Sequence, residues 1–162
     1  MKKSTLATTT LAVAAAASAG SIASPARVAG WYTRLRKPAF QPPAAVFPVA
    51  WTALYADIAA TSAATIDRYR AAGQPERARS YAVALGLNLV LNAGWSWLFF
   101  RYHKLGASAL GAAVLTASSA DLARRAAQAD PREGVALSPY PLWCTFATVL
   151  ATSVWRLNRG HE

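Results

Sequence analysis

Four stretches of this chain run for 20 or more residues with at most one charge: Ser4 to Ala26, Ala44 to Ile66, Tyr81 to Phe100 and Val135 to Trp155. Each is long enough to cross the hydrocarbon core of a bilayer as a helix, which takes roughly 20 residues. A fifth stretch, Leu105 to Ala120, has 16 residues and lengthens past Asp121 if Arg124 and Arg125 snorkel toward the headgroups. The expected fold is an all-α integral membrane protein, one domain over residues 1–162. Five transmembrane helices are placed at about 4–26, 44–67, 80–100, 105–126 and 136–156. The connections are too short for a separate soluble domain.

The 17 Lys and Arg outnumber the 7 Asp and Glu, giving a net charge of +10. These basic residues stand at the ends of the apolar runs, as membrane flanks do, and not along a soluble face that would meet nucleic acid. With five spans, one side of the membrane carries nine Lys and Arg and the other eight, a difference that predicts no orientation. The single cysteine, Cys144, excludes an internal disulfide and a cysteine-rich metal site, and His103 and His161 form no cluster. No metal is expected. Lys2 and Lys3 followed by an Ala-rich run and Ala17-Ser18-Ala19 also resemble a secretory signal peptide. The run outlasts a usual signal core, so it is expected to be retained as the first helix, in a bacterial cell membrane.

Between the first two runs lies WYTRLRKPAFQPPAAVFPVAW, Trp31 to Trp51, dense in aromatics, basic residues and prolines. It reads either as a binding loop or as an interfacial anchor at headgroup depth. Helical spacing gathers further stripes: Trp51, Leu54, Tyr55 and Ile58; Asn88, Asn92, Trp95 and Phe99; Tyr140, Trp143, Ala147 and Leu150. They read as the lining of a cavity for a flat apolar ligand, or as helix packing with the Asn amides as glue. Asp57 stands on another face of its helix, where a carboxylate is protonated, bound to a polar partner on a neighbouring helix, or part of a proton or ion path. Ala82 with Gly86 and Ala107 with Gly111 are small pairs that allow close helix approach.

Trp31-Tyr32, Leu35, Lys37-Pro38, Pro42-Pro43, Phe47-Pro48, Trp51 and Leu54-Tyr55 open a longer series. It continues with Asn92, Trp95, Phe99-Phe100, Pro139-Tyr140, Trp143, Phe146-Ala147, Leu150, Arg156 and Asn158. In this order, over about residues 28–159, the series resembles the TspO/MBR family, the tryptophan-rich sensory proteins related to the mitochondrial translocator protein. The resemblance implies a five-helix bundle, often a homodimer in the lipid membrane, whose first loop, about 27–43 here, folds over a ligand pocket. It implies a porphyrin-type ligand such as protoporphyrin IX or haem, with no cofactor required. The pocket positions it implies are Trp51, Asn92, Trp95, Trp143, Phe146, Ala147 and Leu150, joined by Phe47 and, from the loop, Tyr32, Leu35 and Pro42. Arg34, Arg36 or Lys37 at the rim would meet the propionates.

The chain departs from the family pattern at Asn88, where Gln is usual, Trp97 for Pro, Phe40 for Trp, and Ala151 for Asn. Thr152 and Ser153 stand where the sterol-recognition pattern of animal members needs a Tyr. Three classes of function follow from the resemblance. The first is a sensor or regulator of porphyrin levels and stress response, which needs no catalytic constellation. The second is a transporter of porphyrins or other amphipathic molecules. The third is light- and oxygen-dependent porphyrin degradation, in which Trp51 and Trp143 would be the participating indoles.

Overall fold

The computed structural model of the chain describes residues 1–23 and 29–159. It contains α1 (Lys3–Ile22), α2 (Ala29–Arg34), α3 (Val46–Ala71), α4 (Pro75–Ser96), α5 (Leu105–Ala129), α6 (Pro131–Leu137) and α7 (Pro139–Leu157). One π-helical turn, Trp97–Arg101, prolongs α4. With that turn α4 is a 27-residue rod, and α6 and α7 run on into another, so five long rods pack together beside the short α2.

Four of the rods are long and apolar enough to cross a membrane: α1, α4 with its turn, α5, and α6 with α7. The second expected span, now α3, corrects the count of five equivalent apolar helices. At 26 residues it is ample in length, but Thr52, Asp57, Thr61, Ser62 and Thr65 dilute its apolar character. It packs against α1, α4, α5, α6 and α7, and its polar groups find partners mostly within α3 itself. Thr52 and Thr65 donate to the carbonyls of Pro48 and Thr61, both at 2.8 Å, while Ser62 meets the Tyr81 hydroxyl at 3.1 Å. Asp57 accepts from Thr61 of its own helix at 2.8 Å, and its other oxygen is buried with no partner among the described residues. The alternative of a partner on a neighbouring helix is thereby corrected.

Helix ends follow local chemistry. Pro42 and Pro43 precede α3, and Pro48 falls in its first turn, where a missing N–H leaves no bond unmade. Arg68 and Arg70 oppose the dipole at its other end, and Gly73, at φ 68°, turns the chain with its N–H on the Arg70 carbonyl. Pro75, Pro131 and Pro139 each open a helix, and the Asp130 carboxylate caps α6 by accepting from the Arg132 N–H at 2.8 Å. These caps move the expected ends outward: 80–100 becomes 75–101 and 136–156 becomes 131–157, broken at Ser138. The first helix ends at Ile22, and residues 24–28, which belong to the expected first helix and lid, lie outside the described residues.

The bundle is apolar outside and partly polar inside. Leu11, Val49, Val83, Leu87, Val90, Leu110 and Leu142 are exposed along the rods, whereas Thr9, Ser62, Thr65, Asn88, Asn92 and Ser119 are buried. Outward apolar surface on this scale belongs against lipid, and the protein is an integral membrane protein. Helix α1 is fixed at both ends. Thr5 donates to Asp67 and Thr9 to the Ala59 carbonyl, each at 2.8 Å, and the Trp97 indole donates to the Ala19 carbonyl at 2.9 Å. The first apolar run is therefore packed as a member of the bundle. Of the small pairs, Gly111 lies against Leu98 and Trp95, while Ala82 and Gly86 face outward.

Candidate functional site: an aromatic cavity beneath the first loop

The first loop is not irregular throughout, as expected of a lid at 27–43: α2 forms within it and carries Trp31 and Tyr32 on one side. Trp31 stacks on His103 at 3.9 Å, the imidazole being presented by a residue at φ 54°, and meets Phe99 edge-on at 5.7 Å. Tyr32 packs on Phe99 and Phe100 at 6.0 and 6.1 Å. After α2 the chain turns at Pro38, whose carbonyl accepts from the Gln41 N–H at 3.1 Å. The Gln41 side chain donates to the Tyr32 hydroxyl at 3.0 Å, and the Lys37 ammonium lies 4.3 Å above the Tyr32 ring. Burial raises the Tyr32 phenol above its ordinary pKa, the Gln41 bond partly offsetting this, so Tyr32 is neutral across the physiological range.

Beneath this lid is a cavity of about 450 Å³, within the range of small-molecule sites. The lid contributes Tyr32, Gln41 and Ala44; α3 contributes Phe47, Pro48, Trp51 and Tyr55. Helix α4 and its π turn supply Asn92, Trp95, Ser96, Phe99 and Phe100, and α7 supplies Trp143, Cys144, Ala147, Leu150, Ala151 and Val154. Ala17, Gly20 and Ser21 of α1 and Ala112 and Leu115 of α5 complete the lining. The aromatic rings support one another: Trp95 stacks on Phe99 at 5.4 Å and 13°, Trp51 lies 5.4 Å from Tyr55, and Trp143 meets Phe47 at 6.0 Å. The Trp95 indole donates to the Ser108 carbonyl at 3.0 Å, which fixes its plane.

One wall is polar. Tyr55 donates to the Asn92 carbonyl oxygen at 2.8 Å, Asn92 donates to the Tyr140 hydroxyl at 3.2 Å, and Tyr140 donates to Asn88 at 2.8 Å. Asn88 in turn donates to Ser118 at 3.1 Å. The string ties α3, α4, α7 and α5 together behind the cavity, and both readings of the asparagines apply: Asn92 lines the cavity, while Asn88 is glue.

Of the positions anticipated from sequence, Tyr32, Phe47, Trp51, Asn92, Trp95, Trp143, Ala147 and Leu150 line this cavity. Leu35, Pro42 and Phe146 do not. Leu35 is packed in the cluster of Phe99, Leu105, Leu150 and Val154, and Phe146 lies behind Trp143 at 5.4 Å with Phe40 edge-on at 6.5 Å. Pro42 is a half-buried residue of the lid. Gln41, Ser96, Cys144 and the α1 residues were missed. The 3.6-residue spacing of Gly20 with Ala17 held a signal for the last, masked by the Ala-rich composition.

The charge is divided between the two ends of the bundle. At the lid end stand Arg34, Arg36, Lys37, Arg101, Lys104, Arg156 and Arg159, and no described carboxylate accompanies them. The ion pairs found among the described residues, Arg68 with Asp130 and Glu133, Arg70 with Asp67, and Arg124 and Arg125 with Asp121, all lie at the opposite end. An apolar aromatic cavity thus lies beneath an end of the bundle whose described charges are all basic.

The chain matches the model of the TspO/MBR family over residues 8–156. It is 34% identical to Protein CrtK of Rhodobacter capsulatus over 152 residues, covering 94% of this chain and 91% of that one. It is 32% identical to the Tryptophan-rich sensory protein of Cereibacter sphaeroides, covering 79% and 77%. With the human Translocator protein the identity is 31%, covering 80% and 76%. On a match that takes in every long rod and the cavity between them, the chain belongs to the TspO/MBR family.

Proposed function

We propose that this protein is a membrane tetrapyrrole-binding sensor or regulator of porphyrin levels, holding its ligand between the helices beneath the lid. The observation that carries the reading is the union of an aromatic cavity of about 450 Å³ with a rim of cations that have no carboxylate partner among the described residues. A porphyrin has a broad flat apolar face to lie against indoles and two propionates to meet guanidinium or ammonium groups. The Tyr55–Asn92 wall offers hydrogen bonding to polar atoms of the ring edge. Regulation by binding asks for no acid, base or nucleophile, and the lining presents none in a catalytic arrangement.

One observation favours a second reading. The indoles of Trp51 and Trp143 line the cavity and, unlike those of Trp95 and Trp97, donate to no group among the described residues. Light-dependent oxidation of a bound porphyrin would use them as confined, oxidisable rings. Transport would call for helices broken near the midplane, and the break at Ser138 lies toward one end of its rod.

The test is a titration of the detergent-purified protein with protoporphyrin IX in the dark, read by tryptophan fluorescence. Saturable, stoichiometric quenching that weakens in Trp143→Phe is expected. Linear quenching, the same in the variant and in free tryptophan, would mean that porphyrin only partitions into the micelle and would overturn the proposal. Illuminating the same complex then separates the two readings. A stable spectrum leaves the sensor, and oxygen-dependent conversion lost in Trp51→Phe and Trp143→Phe selects the enzyme.

A further inference from the structure

Asn158, two residues beyond the last basic residue of α7, is only 3% exposed and does not itself line the cavity. Its side chain makes three hydrogen bonds, to two carbonyls and one N–H. The Oδ1 accepts from the Arg36 N–H at 3.0 Å, and the Nδ2 donates to the Arg36 carbonyl at 2.9 Å and to the Val154 carbonyl at 2.7 Å. With carbonyls on one side and an N–H on the other, the amide has a single satisfied orientation. Arg36 is the residue that links α2 to the Pro38 turn, and 122 positions of sequence separate it from Asn158. A side chain that pairs both backbone groups of one loop residue imitates one rung of a β-ladder.

We infer that Asn158 is a positioning residue that latches the lid by the backbone of Arg36 and so sets how long a ligand stays in the cavity. The latch rests on the proposed tetrapyrrole reading for its consequence but not for its existence. Gripping the backbone leaves the Arg36 side chain exposed at the rim, free to meet an anionic group. The other described contacts of the lid with the helices include apolar packings of Trp31, Tyr32, Leu35 and Phe40, which slide at little cost, whereas the latch is directional and its amide is buried. The same residue ends α7, its own N–H on the Val154 and Trp155 carbonyls, so the lid is fastened to the terminus of the helix that carries Trp143.

The experiment compares wild type with Asn158→Ala and Asn158→Asp in two assays. Native-state trypsin digestion reads cleavage after Arg34 and Arg36 without any ligand. Stopped-flow displacement reads protoporphyrin release. Asn158→Ala is expected to be cut at these sites, and to release porphyrin, about tenfold faster, the scale of two lost hydrogen bonds. Asn158→Asp, which keeps the acceptor for the Arg36 N–H, should fall between. Association should not slow in either variant, which separates a latch from general damage to the cavity. Cleavage at the wild-type rate in folded Asn158→Ala would overturn the latch. If wild type binds no porphyrin, the tetrapyrrole reading fails while the digestion still decides the latch. If Asn158→Ala does not fold, hydrogen exchange of the wild-type Arg36 amide decides it: slow exchange is expected, and exchange at the rate of an open loop would overturn the inference.

Discussion

Gly134 is the most closely packed of the described glycines. A Cβ built on it would stand 2.4 Å from the Ala127 Cβ and 2.8 Å from its Cα, so α6 lies directly on the backbone of α5. Helix propensity alone would favour Gly134→Ala by about 1 kcal/mol. The clash is with main-chain atoms that cannot rotate away, and overpacking of this kind costs about 1–3 kcal/mol or more. The expected outcome is a lower thermal unfolding midpoint for Gly134→Ala in detergent, and a higher midpoint would show that α6 has room to shift. At this scale the sequence was informative about kinds of residue and weak about partners. The Asn88 and Asn92 stripe was legible from spacing, but which amide faced the cavity depended on Tyr140 and Tyr55 from two other helices. Asp57 was legible as an anomaly. That its one hydrogen bond is to Thr61, a turn away, is a fact of rotamers that no spacing encodes.

Among the elements, the Tyr55–Asn92–Tyr140–Asn88 string is what joins α3, α4 and α7 across the floor of the cavity. Tyr140→Phe removes one hydroxyl and leaves two buried amide groups short of a partner. Within a bilayer such bonds are worth about 0.6–2 kcal/mol each, so a loss of about 1–3 kcal/mol is expected in chemical or thermal unfolding. Adding Asn88→Leu should cost less on the Tyr140→Phe background than on wild type, because the groups act as one network. Strict additivity would show that the string carries no coupling. The helices themselves were legible as apolar runs, with ends displaced by Pro75, by Pro131 with its Asp130 cap and by the turn at Gly73. The π turn was not legible. At Trp97, where the family resemblance leads one to expect Pro, the indole bonds to α1 as the turn brings Phe99 and Phe100 together on the cavity, 4.9 Å apart. Nor was α2, whose six residues are too few for any periodicity to register.

The whole molecule is an electrical dipole. Counting only Lys and Arg, the two ends are nearly equal, nine against eight, and that count hid the division because it ignored where the carboxylates fall. Of the seven Asp and Glu, Asp57 lies within α3 and Glu162 lies outside the described residues; Asp67, Glu76, Asp121, Asp130 and Glu133 all lie at the end away from the lid, a fact present in the sequence once the rods are threaded up and down. An excess of charge on an exposed rim acts through space, and its reach shortens from about 10 Å at 0.1 M salt to about 3 Å at 1 M. Two ligands of nearly the same shape isolate this effect: protoporphyrin IX, with two carboxylates, and its dimethyl ester, with none. Protoporphyrin affinity in neutral detergent is expected to fall about tenfold between about 0.05 and 1 M sodium chloride, as several exposed charge contacts of up to about 1 kcal/mol each are screened. The ester should bind more weakly at low salt and show no such fall. Replacing Arg34, Arg36 and Lys37 together by Gln should make protoporphyrin behave like the ester, because these are the cations of the described part of the lid. Equal salt dependence for both ligands would place the attraction in the micelle surface and not in the rim, while an ester that binds as tightly as the acid at low salt would leave the aromatic walls as the whole source of affinity.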